Sequence, residues 1–398
     1  MEVLFRSRRS TGSSVIWVVQ EIMDDMHSRS LVMDEPGTLS VREFDVPEVG
    51  PNEVLIEVEL CGVCGTDVHM NEGGMPLDFP VIPGHEFAGR IVETGEAVTT
   101  DFAGVAIEVG DAVTVCPGRA CGECWYCNNV PARPTACLDR TVYGFTSIDR
   151  EPTLRGGMSE YVLIEGNADF FRLPDDLDID YGALVEPLAV ASYALEQSFQ
   201  SGLPFAREGY GPGQSVAVQG TGPIGLLTVA TAHATGASEI IAIDMVEKRL
   251  ELARKFGATR TVNIRDYDDD EALIEAVRAK GNDGIGPDVV VEAVGHPSAF
   301  EQGLRMPRNG GTLVEVGHFA DAGTAEINPT WIVQNDISVE SSYVYPPAQF
   351  RTSLSLLQGY RDDLPFLELF DYRVDLSEAE SAFEAQATGD SYRATVHP

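Results

Sequence analysis

A β-type run that passes straight into a glycine turn and out into a helix constrains this 398-residue chain more than any other feature. Ser215-Val-Ala-Val-Gln219 is short and apolar. Gly220-Thr-Gly222-Pro223-Ile224-Gly225 follows without a spacer, and an apolar stretch with the length of a helix continues to about Ala234. Glycines at this spacing permit a tight turn, a close backbone approach to a ligand and close helix–strand packing. The helix start offers unpaired N–H groups and the positive end of a dipole, which suits a pyrophosphate. Gly220, Gly222, Pro223, Ile224 and Gly225 are therefore read as a dinucleotide cradle, against the plainer reading of a packing turn.

The next run, Glu239-Ile-Ile-Ala-Ile243, ends at Asp244, 19 residues beyond Gly225. A carboxylate there accepts hydrogen bonds from ribose hydroxyls, or simply ends a strand. As an anion it disfavours a 2′-phosphate, so NAD is expected over NADP, although the nearby cations Lys248 and Arg249 keep NADP open. Glu247 to Phe256 reads as an amphipathic helix. Asp288-Val-Val-Val-Glu292 and Gly311-Thr-Leu-Val-Glu-Val316 read as further strands of one parallel sheet.

The N-terminal part has another rhythm. Glu53-Val-Leu-Ile-Glu-Val-Glu59, Gly89-Arg-Ile-Val-Glu93, Ala112-Val-Thr-Val115 and Ser159-Glu-Tyr-Val-Leu163 are short β-type runs between Gly and Pro, the pattern of a compact β-barrel-like domain. Within it, Cys61-Gly-Val-Cys64-Gly-Thr66-Asp67-Val-His69 and Pro83-Gly-His85-Glu86-Phe-Ala-Gly89 bring thiols, imidazoles and carboxylates around tight turns. Thiolate, imidazole and carboxylate are the donors of a catalytic zinc site that keeps one position open. Cys64 and His85 are the strongest ligand candidates. Glu186, a carboxylate inside the apolar run Ala183-Leu-Val-Glu-Pro-Leu-Ala189, is the third, because burial without a partner is costly; a helix-start carboxylate beside Pro187 is the alternative. Glu86 either supports these ligands or exchanges with one, and His69 is either a surface residue or part of a proton path.

Cys121-Gly-Glu-Cys124-Trp-Tyr-Cys127 with Cys137 beyond offers four thiols at a spacing that suits one tetrahedral structural Zn²⁺, against loss of the metal or redox use. All seven cysteines fall between 61 and 137, which fits metal binding in a reducing compartment better than a disulfide framework.

Charge narrows the setting. The chain carries 63 acidic residues against 27 basic ones, a net charge of −36, and only Lys248, Lys255 and Lys280 are lysines. Such self-repulsion is tolerable where concentrated salt shortens the Debye length to about 3 Å, so a halophile's cytoplasmic protein is expected. Nucleic acid and anionic membranes are disfavoured as partners because both need a basic face. No apolar run approaches the ~18 residues of a membrane span. Residues 1–27, with Arg6, Arg8 and Arg9, read as a dispensable extension, with Met26 a plausible beginning.

Taken together, CGVCGTDVH, PGHEFAG, the four-cysteine lobe, Glu186-Pro-Leu-Ala-Val-Ala191, GTGPIG with Asp244, Val290-Val-Glu-Ala-Val294-Gly295 and Gly310-Gly-Thr-Leu-Val-Glu-Val-Gly317 resemble the zinc-dependent medium-chain dehydrogenase/reductase family over roughly residues 28–398. The resemblance implies a GroES-like catalytic domain from residues 28–188 and 340–398, a zinc lobe at 116–138, and a Rossmann domain at 189–339 whose cofactor contacts include Val294 and Arg249. It also implies two zinc ions per chain, with Cys64, His85 and Glu186 on the catalytic one, Asp67 supporting them, and Thr66 beginning a proton relay. A glutamate at position 186 looks like the polyol, butanediol and sorbitol branch. The expected reaction is reversible oxidation of a secondary alcohol, polyol or sugar hydroxyl by NAD, with glucose-type or threonine dehydrogenation as alternatives and a homotetramer or dimer as the assembly. The nine-residue gap before Cys137, extra residues near Thr100–Ile107 and Ser201–Tyr210, and Tyr193 where several relatives carry histidine depart from the family pattern.

Overall fold

The computed structural model describes residues 26–199 and 211–398. Seventeen strands are present among them. The first nine are β1 (His27–Glu35), β2 (Thr38–Asp45), β3 (Val54–Gly62), β4 (Glu86–Thr94), β5 (Ala112–Val115), β6 (Gly118–Arg119), β7 (Thr141–Val142), β8 (Tyr161–Ile164) and β9 (Phe170–Arg172). They are followed by β10 (Ser215–Gln219), β11 (Glu239–Asp244), β12 (Arg260–Asn263), β13 (Val289–Glu292), β14 (Thr312–Glu315) and β15 (Ser338–Ser341), and then by β16 (Tyr372–Asp375) and β17 (Ala394–His397).

β10 to β15 form one parallel sheet in the order β12-β11-β10-β13-β14-β15. Its inner strands are continuous runs of Val, Ile and Ala, buried at nearly every position, because helices cover both faces of such a sheet. The strand order reverses between β10 and β13, and a ligand crevice opens at such a switch beyond the carboxyl ends of the strands.

The second sheet runs β16-β17-β3-β4-β5-β9, with β8 also on β3. Register shifts at Leu55/Ile56 and Val58/Leu60 interrupt the β3–β4 ladder, and bulges of this kind bend a sheet towards barrel form. The last strand, β17, pairs with β3 at Thr395↔Gly62 and Val396↔Cys61, so the end of the chain returns to its beginning. The helix Val185–Glu196 joins the two bodies; only its outer edge reaches solvent. One apolar core runs from Phe171 through Leu188 to Leu226 and Phe350, which couples the two sheets mechanically.

Two expected boundaries move. Met26 and His27 already belong to the fold, since the Met26 carbonyl accepts from Val46 N–H and His27 opens β1; the rest of the expected extension lies outside the described residues. The parallel sheet keeps residues 340 and 341, because β15 runs to Ser341. The acidic C-terminal helix is Ala379–Thr388, with a 3-10 turn at Leu376–Glu378 before it. The extra segment near Thr100–Ile107 forms a small turn stapled by the Asp101 carboxylate, which accepts from Val105 N–H and Arg172 N–H; the one at 201–210 lies outside the described residues. Among the described residues, no helix is long and apolar enough to cross a membrane.

Candidate active site and metal centres

Cys64 is the N-cap of the short helix Gly65–Asn71, and His85 and Glu86 stand where the chain enters β4. Donor atoms of Cys64, His85 and Glu86 lie within 4.8 Å of one another. Asp67, fully buried, holds the corner together: its carboxylate accepts from Cys64 N–H at 2.8 Å and Gly84 N–H at 3.3 Å, and it stands 3.5 Å from His85 Nδ1. Gly84 has φ +96°, and a Cβ there would meet Cys61 Sγ and the Met158 backbone, so the turn that aims His85 admits glycine alone.

Glu86 is paired by Arg393, whose Nη1 donates to both carboxylate oxygens at 2.6 and 2.7 Å. Glu186 is buried on the inner helix, and Tyr345 donates its hydroxyl to Glu186 Oε1 at 2.5 Å. Burial pushes the Glu186 carboxyl up to about 7, a shift that the positive field of His85 opposes and the charge of Glu86 reinforces. Burial alone would depress the His85 imidazole, but Asp67 and Cys64 outweigh it and hold it well above its ordinary value. Three carboxylates and a thiol thus face one guanidinium and one imidazole, and His85 Nδ1 is buried without a hydrogen-bond partner. A site so rich in negative donors is completed by a cation, and the donor set of sulfur, nitrogen and oxygen suits zinc. The tight triple is Cys64, His85 and Glu86. Glu186, expected as the third ligand, stands beside it with Tyr345 as its hydrogen-bonding partner.

Thr66 Oγ1 is 3.7 Å from Cys64 Sγ. His69 is half-exposed on the outer side of the same helix, 3.7 Å from the Glu72 carboxylate. Tyr193, partly buried, packs into the shared core.

The four-cysteine lobe is self-contained. Sγ atoms of Cys121 and Cys127 are 3.9 Å apart, those of Cys124 and Cys127 3.5 Å, and those of Cys124 and Cys137 3.9 Å. Thiolates on one tetrahedral zinc with Zn–S bonds of about 2.3 Å sit about 3.8 Å apart, whereas disulfide sulfurs sit about 2 Å apart. The residues fit zinc and do not fit a disulfide. The long gap before Cys137 is taken up by the 3-10 turn Pro134–Ala136.

At the glycine turn, Gly220 has φ +84°, and a Cβ there would come within 2.7 Å of Val294 Cγ2; at Gly225 it would overlap the Gly220 carbonyl. Gly222 differs. It caps the helix Pro223–Ala234, and nothing lies within 4 Å of where its Cβ would be, so the space above the helix start is open for a ligand. Pro223 and Ile224 form the first turn beneath that space. Asp244 ends β11, but its carboxylate turns inward: it accepts from Thr221 N–H at 2.7 Å, Thr221 Oγ1 at 2.9 Å and Val246 N–H at 2.9 Å, bracing the glycine turn itself. Arg249, on the helix Glu247–Lys255, points its guanidinium towards Gly389.

Sequence reasoning missed Arg393 and Tyr345 as members of the site, 307 and 159 residues from their partners. It also missed a third cluster, in which the ends of β13 and β14 bring Glu292, Glu315 and His318 together. Its signal was present: two strand-like runs of the form Val-Val-Val-Glu292 and Thr-Leu-Val-Glu315, each ending in glutamate.

Residues 50–175 match the family model of the alcohol dehydrogenase GroES-like domain, and residues 223–359 that of the zinc-binding dehydrogenases. The chain is 32% identical to the 5-exo-hydroxycamphor dehydrogenase of Pseudomonas putida, over 91% of this chain and 96% of that protein. It is also 32% identical to a sorbitol dehydrogenase of Halalkalibacterium halodurans, over 93% and 99%. The crystal structure of an alcohol dehydrogenase from Thermotoga maritima superposes with a TM-score of 0.86 at 28% identity, covering 94% of this chain and all of that one. With the GroES-like and Rossmann-like bodies, the mixed donor site and relatives matched over nearly their whole length, the chain belongs to the zinc-dependent medium-chain dehydrogenases, oxidoreductases of alcohols and polyols.

Proposed function

We propose that this enzyme oxidises a secondary alcohol or polyol to the carbonyl with NAD as the preferred acceptor, at the Cys64–His85–Glu86 corner between the two bodies. The observation that carries the reading is the convergence of those three donors beside Glu186, with a single guanidinium to balance them. Zinc bound at this corner would supply Lewis acidity towards a substrate hydroxyl, and a bound nicotinamide cofactor would supply the hydride acceptor. Cys64 and His85 would hold the metal. Glu86 closes the triple, and Glu186, held by Tyr345, is the second carboxylate donor. Thr66 takes the hydroxyl proton and passes it towards solvent on the His69 side. Arg393 fixes Glu86 through its two hydrogen bonds. Asp244 and the glycine turn hold the adenosine and pyrophosphate half, and an inward-braced Asp244 still presents negative charge to a 2′-phosphate, which favours NAD. Polyols are favoured by the glutamate at position 186 and by the kinship with sorbitol dehydrogenases.

The cysteine lobe holds a second, structural zinc, which clamps a loop with no buried residue in its helix Trp125–Asn129. The chain works as a homo-oligomer in a salt-rich cytoplasm: β15 is an edge strand with Val339 and the neighbouring Val333 exposed, and −36 charges need screening.

The test is reduction of NAD and NADP in about 2–3 M KCl with secondary alcohols, 2,3-diols, polyols, aldoses and threonine, for wild type, Glu86→Gln and Glu186→Gln. Turnover of one polyol class, lost in the carboxylate variants while nucleotide still binds, is the expected outcome. A zinc-loaded, folded enzyme silent on every hydroxyl substrate would overturn the polyol reading.

A further inference from the structure

Glu292 closes β13 and is fully buried. One of its oxygens accepts from Val294 N–H at 2.7 Å and Gly295 N–H at 3.0 Å. The charged groups that face it are Glu315, which closes the adjacent strand β14 in direct register, and His318, whose Nδ1 is 3.6 Å from Glu292 and 3.0 Å from Glu315. The other Glu315 oxygen is buried with no hydrogen-bond partner. A fully buried carboxyl beside a second, partly buried one does not ionise readily. Burial and Glu315 together push Glu292 up to about 8.

The position gives the cluster its meaning. A doubly wound sheet is built of two mononucleotide-binding halves on either side of the switch point. β10 to β12 carry the glycine turn and Asp244, which are fitted to the adenosine half. β13 to β15 are left to the nicotinamide half. The turn that Glu292 holds is the rim of the crevice, since Val294 packs on Gly220, and a Cβ at Gly317 would overlap Glu292 itself.

We propose that Glu292 is a positioning residue for the nicotinamide half of the crevice, and that its charge, shared with Glu315 and His318, sets the preference between oxidised and reduced cofactor. Oxidised nicotinamide is a cation and reduced nicotinamide is neutral, so a carboxylate beneath that half stabilises the oxidised form selectively. Below the Glu292 transition the pair carries one negative charge. Above it the pair carries two, and the affinity ratio of NAD+ to NADH rises. The inference rests on the cofactor reading given above.

The test is calorimetric binding of NAD+, NADH and ADP-ribose to the zinc-loaded enzyme from pH 6 to 9.5, for wild type, Glu292→Gln, Glu292→Ala and Glu315→Gln. Glu292→Gln keeps an acceptor for Val294 and Gly295 but loses the charge. At pH 9 it is expected to lower the NAD+ to NADH ratio about three- to tenfold relative to wild type, with ADP-ribose affinity unchanged. Taking the difference from wild type removes the titration of groups at the metal corner. Glu315→Gln moves the midpoint of the ratio to lower pH, and Glu292→Ala weakens both nicotinamide forms through loss of the turn. A Glu292→Gln enzyme with the wild-type ratio at every pH overturns the inference. If wild type binds none of the three ligands, the cofactor reading falls first and takes this one with it.

Discussion

The two zinc-fitted centres solve opposite problems. The cysteine lobe draws four like donors from residues 121–137, lies near the surface and has almost no core of its own. The corner at Cys64 draws unlike donors from residues 64, 85, 86 and 186, adds Tyr345 and Arg393 from far along the chain, and is buried at all of these but Cys64. The lobe can satisfy a metal completely and so serve as a clamp. The corner mixes donor types, keeps Cys64 and Thr66 partly accessible, and leaves His85 Nδ1 and Arg393 Nε buried without a hydrogen-bond partner, which is the arrangement for binding something that comes and goes. Uniform donors make a permanent joint, and mixed donors make a reactive one.

The sharpest way to break this comparison is to remove one ligand from each centre. Cys64→Ser or His85→Gln is expected to reduce kcat/KM by about a thousandfold or more while the thermal midpoint changes little, with metal analysis showing loss of one zinc. Cys137→Ser should do the reverse: a fall of roughly 10 °C in midpoint, with near-normal kcat at temperatures where the protein stays folded. If both variants lose activity and stability together, the division of labour is wrong.

Next in size is Arg393→Met, which leaves Glu86 buried without its cation. A partner removed from a buried pair costs about 3–5 kcal/mol, so unfolding by denaturant should shift strongly in zinc-free protein and less in the loaded enzyme, where the metal offsets the charge. Tyr345→Phe removes one hydrogen bond to Glu186; a loss of about 1–2 kcal/mol, read as about tenfold in kcat/KM, with normal zinc content, would place Tyr345 behind the reactive corner and not in its scaffold. The smallest effect belongs to the lobe's surface. Trp125 is 61% exposed, stacked edge-on against Tyr126, and Trp125→Ser should change stability by less than about 0.5 kcal/mol.

The same contrast explains what could be read from the chain. The lobe was legible because its donors are close in sequence and spacing alone encodes a tetrahedron. The glycine turn was legible for the same reason, and so were the strands β10, β11, β13 and β14, where buried Val and Ile runs have a single interpretation. Glu86 and Glu186 were legible only as candidates: the pattern shows a carboxylate in an apolar setting, but which one approaches Cys64 depends on how the joining helix packs. Arg393 and Tyr345 carry no local signal, because an arginine before a terminal strand and a tyrosine after an edge strand are ordinary until the register of β17 on β3 and the fold of the 342–348 segment bring them inward. Asp244 shows the converse. Its position followed from the motif, whereas its two bonds to Thr221 of the turn did not.

The pairing of β17 with β3 also orders events in time. Val54 to Gly62 are translated more than 300 residues before the strand that lies against them. Until Arg393 has left the ribosome, the corner holds Glu86 without its cation, and the sheet around β3 lacks β17. The parallel sheet made in between, by contrast, has all six of its strands by residue 341. Synthesis therefore delivers the parallel sheet before it delivers the strand and the arginine that complete the corner.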